Sequence, residues 1–318
     1  MKEWKGPFFL FCAFSLAGTS VISARFVSGK LGTFTITAVS LLFALLILLP
    51  PSWKKLAEVI RITPARGYLV FLLQAFFGIF LFRLFLLSSL LYTSTGEAGI
   101  LTGATPAITA LLAIAILKEP VNEKKLAGIF STVAGILLIQ GLLSAGSLSL
   151  KHLGGNVLVL CAAACESVFN ILSRIFAIKT PPDQRNPVSP LVQTTIVTVI
   201  ALLLCLIPAL SERPAQLLAA AGWKEWLALL WYGMFVTALA FMCWYAGIKR
   251  CDAITAAAYS GIMPFTAMLL SAVILGEHAG WQQWSGGILV IIGMVLIGSS
   301  NAPSADTDKN LDKYTLSL

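Results

Sequence analysis

Two charged side chains stand in the middle of long apolar runs: Arg83 in Leu-Phe-Arg-Leu-Phe and Glu166 in Cys-Glu-Ser-Val-Phe-Asn. A cation at the centre of a membrane helix costs at least about 2.5–3.5 kcal/mol on insertion scales, so it needs a partner or water. Arg83 reads either as an anchor for a substrate carboxylate or other anion, or as a structural cation that pairs with Glu166 or Glu97 or snorkels outward. Glu166 could carry a coupling proton or meet a substrate ammonium; the plainer reading is a pair with Arg83 or a helix–helix hydrogen bond. Asn170 lies one helical turn on and shares its face. Trp244, Tyr245 and Tyr259 could shape a cavity, or pack or sit at interfaces. Glu97 opens its run, where an acid suits the helix dipole. Arg25 and Arg174 lie near run ends and are expected to face headgroups.

Two prolines, Pro106 and Pro264, fall mid-run. Each removes a backbone donor and disturbs the helix four residues back, at Thr102 and Ser260. That predicts a hinge or an opened backbone facing a cavity, against a static kink tolerated by packing. Glu119 and Glu277 close the same two runs, as gating carboxylates or as interfacial acids facing Lys or backbone donors. Gly128 and Gly135, like Gly286 and Gly293, are seven apart, a spacing that lets membrane helices approach closely.

The elements that must position these residues are helices in a bilayer. The chain is 58% hydrophobic and only 11% charged, against roughly a quarter charged in soluble domains. Runs of about 20 apolar residues cross a hydrocarbon core as helices, and none shows the two-residue alternation of a barrel strand. Spans are predicted at 7–27, 33–50, 67–90, 94–116, 124–143, 154–177, 188–210, 224–248, 254–275 and 281–300. The first, with Lys2 and Lys5 before it, mimics a signal peptide but reads as a span because nine more follow. The tail 301–318 is polar and expected to be disordered. The net charge of +8 sits in loops and does not point to nucleic acid. Of 22 Lys and Arg, sixteen fall on the side of the N-terminus, five on the other and Arg83 within a span. The positive-inside rule then puts both termini in the cytoplasm, in a multi-pass cell (inner) membrane protein. The six Cys lie in or beside apolar runs as small hydrophobes, and His152 and His278 are isolated. No metal or cofactor is expected. No Gly-x4-Gly-Lys-Ser/Thr loop and no catalytic elbow is present, which argues against an ATP-driven pump or an enzyme.

Shifted by 158 residues, the last helices of each half align without a gap. Pro106 meets Pro264, Glu119 meets Glu277, and Gly103, Gly128 and Gly135 meet Gly261, Gly286 and Gly293. From 95 to 141 there are 12 identities in 47 positions. A weaker offset of 149 pairs Arg25 with Arg174. Repeats of five helices each must enter the membrane from opposite sides, the construction of many secondary transporters. The predicted fold is all-α integral membrane: ten transmembrane helices as two inverted five-helix repeats, 1–145 and 146–300, followed by the tail 301–318.

The segment Thr-Gly-Ala-Thr-Pro-Ala-Ile-Thr-Ala-Leu-Leu (102–112) through Glu119, and its partner from Ser260 to Glu277, resemble the paired signature of the drug/metabolite transporter superfamily, EamA type. The glycine pairs after each Glu belong to the same pattern, and the resemblance covers about residues 7–300. It implies a central cavity lined by the first, third, fourth, sixth, eighth and ninth helices. It also implies export or exchange of amino acids, metabolites or drugs without nucleotide hydrolysis. Many members carry an Arg in the second helix where Ser40 stands here, and a Trp in the sixth where Ala163, Ala164 or Glu166 stands. The expected function is a secondary transporter of a small organic solute working by alternating access, with export the favoured direction. The alternative is a non-transporting membrane scaffold or accessory subunit. Expected partners are a small-molecule substrate, the lipid bilayer and a candidate coupling proton; direction, substrate and oligomeric state are open.

Overall fold

The computed structural model describes residues 4–27, 30–89, 92, 101–102, 104–139, 153–179, 188–276 and 280–299. Glu97, Glu277, His152, His278, the boundary near 145 and the tail 301–318 lie outside the described residues. Those described are 88% helical, with no strand among them. Six helical stretches are long and apolar enough to cross a membrane: Thr33–Ile62, Ala65–Leu86, Leu153–Ile178, Pro190–Ser211, Trp223–Ile248 and Ala253–Ile274. Lys5–Gly18, Thr105–Leu117 and Trp281–Ile297 are shorter apolar helices.

In chain order the helices are α1 (Lys5–Gly18), α2 (Ser20–Val27), α3 (Thr33–Ile62), α4 (Ala65–Ala75) and α5 (Phe82–Ser89). There follow α6 (Thr105–Leu112), α7 (Glu123–Ile139), α8 (Leu153–Lys179), α9 (Pro190–Ser211) and α10 (Pro214–Ala219). The last are α11 (Trp223–Trp231), α12 (Ala240–Ile248), α13 (Ala253–Tyr259), α14 (Ile262–Leu275) and α15 (Trp281–Ser299). Among the described residues, three π-helical stretches join or extend them: Phe76–Leu81 between α4 and α5, Ala113–Leu117 after α6, and Tyr232–Leu239 between α11 and α12. Such bulges widen a helix locally and often mark functional positions.

Two elements differ from the hydropathy reading. The first predicted span, 7–27, is two helices broken at Thr19. There Gly18 packs against α14, the Thr19 hydroxyl donates to the Leu16 carbonyl at 2.7 Å, and it accepts from Trp231 Nε1 at 2.9 Å. The predicted span 33–50 runs on as one helix to Ile62, through Pro50 and Pro51. Its apolar part does stop there; hydropathy marks where apolar residues end, not where a helix ends, and Trp53, Lys54 and Lys55 continue it exposed.

Packing follows from small residues and matched registers. Helices α3 and α9 lie antiparallel: Thr195 Oγ1 donates to Ser52 Oγ at 3.3 Å, and at the far end Glu212 reaches Thr35. Helices α7 and α15 are also antiparallel. A methyl group on Gly135 would come 2.6 Å from the Gly286 carbonyl oxygen, and one on Gly128 would come 2.8 Å from that of Gly293. The converse also holds, with Gly286 against the Gly135 carbonyl and Gly293 against that of Gly128, each at 2.6 Å. Between them, Ser131 Oγ donates to the Leu289 carbonyl at 2.7 Å. Without a hydrophobic drive between helices in lipid, such backbone-to-backbone packing is what holds them together. The largest core cluster gathers Phe14, Leu41, Phe71, Phe169, Phe176, Trp244 and Tyr245 between α1, α3, α4, α8 and α12.

Candidate functional site

Both mid-run prolines stand where a helix restarts. Pro106 is in the first turn of α6, and the Ala104 N–H reaches back only to Leu101 at 3.0 Å. Pro264 is in the first turn of α14, after the break at Ser260 and Gly261 that ends α13. A proline tolerates a first turn because its missing donor would be unpaired there anyway.

Directly after the first break, a polar seam joins α6 to α8. Thr105 Oγ1 donates to Glu166 Oε2 at 3.2 Å, Thr109 Oγ1 to Ser167 Oγ at 3.0 Å, and Asn170 Nδ2 to Thr109 Oγ1 at 3.4 Å. Ser167 also back-bonds to the Ala163 carbonyl at 2.8 Å. Asn170 and Glu166 share one α8 face, as their spacing predicts, and that face looks onto α6.

Arg83 has different neighbours. Its Nη1 donates to Thr37 Oγ1 at 2.8 Å, and its guanidinium carbon lies 4.9 Å from the centre of the Tyr232 ring. The Phe71 ring lies tilted against that of Phe176, centres 4.9 Å apart, and Gly78 abuts Phe169, so α4–α5 and α8 run antiparallel. That register sets residue 83 opposite residue 164, at the level of Glu166. The two charges therefore occupy one depth but different sides: Glu166 bonds into α6, Arg83 into α3 and the Tyr232 bulge. The direct pair weighed in the sequence is not formed; Glu97 lies outside the described residues.

Trp244 is buried, edge-on to Phe14 at 5.6 Å and stacked on Phe169 at 6.0 Å. Its indole N–H has no partner among the described residues. Tyr245 is fully buried and its hydroxyl donates to Gln74 Oε1 at 3.2 Å, which also accepts from Gln193 Nε2 at 3.2 Å. Tyr259 packs partly buried against the same core.

Glu119 sits at the end of the bundle where α13 begins. It accepts the backbone N–H groups of Ala253 at 2.9 Å and Ile254 at 3.2 Å, two of the unpaired donors of that helix. Arg174 Nε lies 3.5 Å from the same carboxylate, while its Nη1 donates to the last carbonyl of α12, Ile248, at 3.1 Å. Asp252 caps α13 by accepting from Thr255 N at 2.7 Å and pairs with Lys125 at 2.5 Å. Burial pushes the Glu119 carboxyl up, the Asp252 charge adds to this, and the backbone donors and Arg174 oppose it. Burial is also the largest single influence on Asp252, but Lys125 and the Thr255 donors together outweigh it and hold that carboxyl below its ordinary value. At the opposite end, Glu212 accepts from Phe34 N at 3.0 Å, Thr35 N at 2.7 Å and Thr35 Oγ1 at 2.8 Å, and Lys30 pairs with Glu225.

The EamA-like transporter family matches residues 4–141 and again residues 153–299. The chain belongs to that family. This EamA-like protein is 30% identical over 312 residues to the uncharacterized transporter YetK of Bacillus subtilis, covering 96% of this chain and 90% of that one. It is 24% identical over 229 residues to the aromatic amino acid exporter YddG of Ancylobacter novellus, covering 71% and 72%. A crystal structure 21% identical shares its fold with a TM-score of 0.74, covering 92% of this chain and 96% of that one. It is a multi-pass membrane transporter and not an enzyme.

Several residues of this EamA-like site carried no sequence signal. Thr37 and Tyr232 are ordinary residues in apolar runs until Arg83 meets them. Glu212 and Asp252 lie in short loops that read as solvated connections. Asp252 two residues before Ile254, with Thr255 three after it, is an N-cap spacing that could have been recognised.

Proposed function

We propose that this transporter is a secondary carrier of ten transmembrane helices in two inverted repeats, residues 1–145 and 146–300, and that it exports a small organic solute by alternating access. The observation that carries this is the mirrored glycine packing: Gly128 meets Gly293 while Gly135 meets Gly286. Under the 158-residue offset these are position one with two-prime and two with one-prime. Two equivalent helices in that relation are turned end over end, as an axis in the membrane plane requires. The two separate family matches, the paired proline restarts and the π-helical stretches in Ala65–Leu86 and Trp223–Ile248 support the same reading.

In this reading the substrate binds at the common level of Arg83 and Glu166. Arg83 spends one contact on Thr37 and keeps further N–H donors for a carboxylate. Glu166, with Asn170 beside it, takes the ammonium of an amino acid or related zwitterion, or the coupling proton. Trp244, Tyr245 and Tyr259 wall the route. The helix restarts at Pro106 and Pro264 act as hinges, and Glu119 and Glu277 gate the two faces. Both termini lie in the cytoplasm of a cell whose inner membrane holds the protein. Amino-acid export agrees with the activity for which the Ancylobacter relative is named.

The test is reconstitution of the pure chain in liposomes with a panel of amino acids, with and without a proton gradient. Flux of at least one is expected, lost in Arg83→Ala, and made insensitive to the gradient in Glu166→Gln. Unchanged flux and unchanged gradient dependence in both variants would remove these residues from the mechanism.

A further inference from the structure

Helices α2, α11 and α14 leave an open groove of about 540 Å³ between them, whose inner end at Trp231 is next in the chain to the Tyr232 that meets Arg83. Its walls are Ile22, Phe26, Leu227, Trp231, Leu270 and Ile274, and its rim is Trp223 with Lys224. Trp231 is held in the wall by its Nε1 bond to Thr19 at 2.9 Å and by stacking on Phe235 at 4.2 Å. The groove is thus a shaped cleft with one fixed wall, present because α1 and α2 break at Thr19.

Its depth can be placed. The stretch Trp223–Ile248 is a membrane-crossing length, so its first residues lie at a membrane boundary. Trp231 stands eight residues further in, about 12 Å at helical rise. Phe26 and Ile274 lie close to the ends of α2 and α14, so the groove runs from the boundary into the hydrocarbon layer. A tryptophan and a lysine at the boundary end are the residue types that settle at headgroups.

Among the described residues, the charges at that end are Lys224 and the Lys30–Glu225 pair. Glu225 is adjacent to Lys224, but it is committed to Lys30. Lys224 contacts only the face of Trp223, 5.7 Å from the ring centre, among the interactions described. The cleft therefore offers an apolar slot about one acyl chain in size beneath the exposed Lys224 ammonium. We propose that it seats an anionic phospholipid, with one acyl chain along Leu227, Trp231 and Leu270 and the phosphate at Lys224.

Native mass spectrometry of the purified full chain tests this, using phosphatidylglycerol and phosphatidylcholine of identical acyl chains. Wild type is expected to retain phosphatidylglycerol in preference. Lys224→Gln should cut that preference about fivefold, the share of one lysine beside a lipid phosphate. Leu227→Trp, which fills the slot at an exposed position, should reduce retention of both lipids. Both substitutions are on the surface, and a wild-type melting temperature confirms that each variant is folded. Equal retention of the two lipids by wild type, or an unchanged preference in Lys224→Gln, overturns the proposal. So does displacement of the bound lipid by the transported solute alone, which would make the groove a substrate path.

Discussion

At the end of the bundle where α13 begins, the helices are tied by Glu119 on two backbone N–H groups, by Arg174 bridging Glu119 and α12, and by Lys125 on Asp252. At the other end, Glu212 holds the start of α3 and Lys30 pairs with Glu225. Both ends use a carboxylate from one half of the chain to cap a helix N-terminus in the other. They differ in depth. The Lys125 side chain is 6% exposed, whereas that of Lys30 is 66% exposed. Buried pairs escape salt screening and exposed pairs do not, so parting the helices at the Asp252 end costs more than at the Glu212 end.

The largest effect should come from breaking the buried pair. Lys125→Met leaves Asp252 without its cation and should lower stability by about 3–5 kcal/mol, read as a fall in melting temperature in detergent. Adding Asp252→Asn should recover most of the loss. Next, Glu119→Ala strands the Ala253 and Ile254 donors and should cost roughly 2–3 kcal/mol; Glu119→Gln, which keeps an acceptor, should cost less. At the opposite end, Lys30→Ala should change stability by no more than about 1 kcal/mol, and high salt should erase the difference. A larger loss in Lys30→Ala than in Lys125→Met would invert the comparison.

The smallest effect is a pH dependence at Lys249, beside the Asp252 end. Its ammonium donates to the Val188 carbonyl at 2.7 Å, and burial, with the Arg250 charge adding, pushes its pKa down to about 8. An unfolded lysine titrates near its ordinary value of 10.5. Between these limits the unfolded chain binds more protons, so stability should rise with pH across that window. Melting scans should show this rise in the wild type and a flatter curve in Lys249→Met.

Much of this was legible in the sequence, and the rest was not for identifiable reasons. Pro106 and Pro264 announce their helix breaks because a missing N–H is written in the residue itself. The glycine seams were legible because small residues at seven-residue spacing have few other uses in a membrane helix. The depth of Arg83 was legible, but not its partners, since Thr37 and Tyr232 reach it only through the packing of α3 and the bulge at 232–239. The continuation of α3 past Pro50 and Pro51 was hidden because apolarity ends there while helicity does not. The α2–α11–α14 groove was invisible, since it follows from a break at Thr19 that the residue itself does not demand.

The central claim is that the two halves enter the membrane from opposite sides. In a chain with its six cysteines replaced, single cysteines at Val121 and Gly280, both exposed and each close to one of the paired carboxylates, can be labelled with an impermeant thiol reagent. In right-side-out and inside-out vesicles the account predicts opposite results: Cys at 121 reacts only from the cytoplasmic face and Cys at 280 only from the outside. Labelling of both positions from the same face would contradict it.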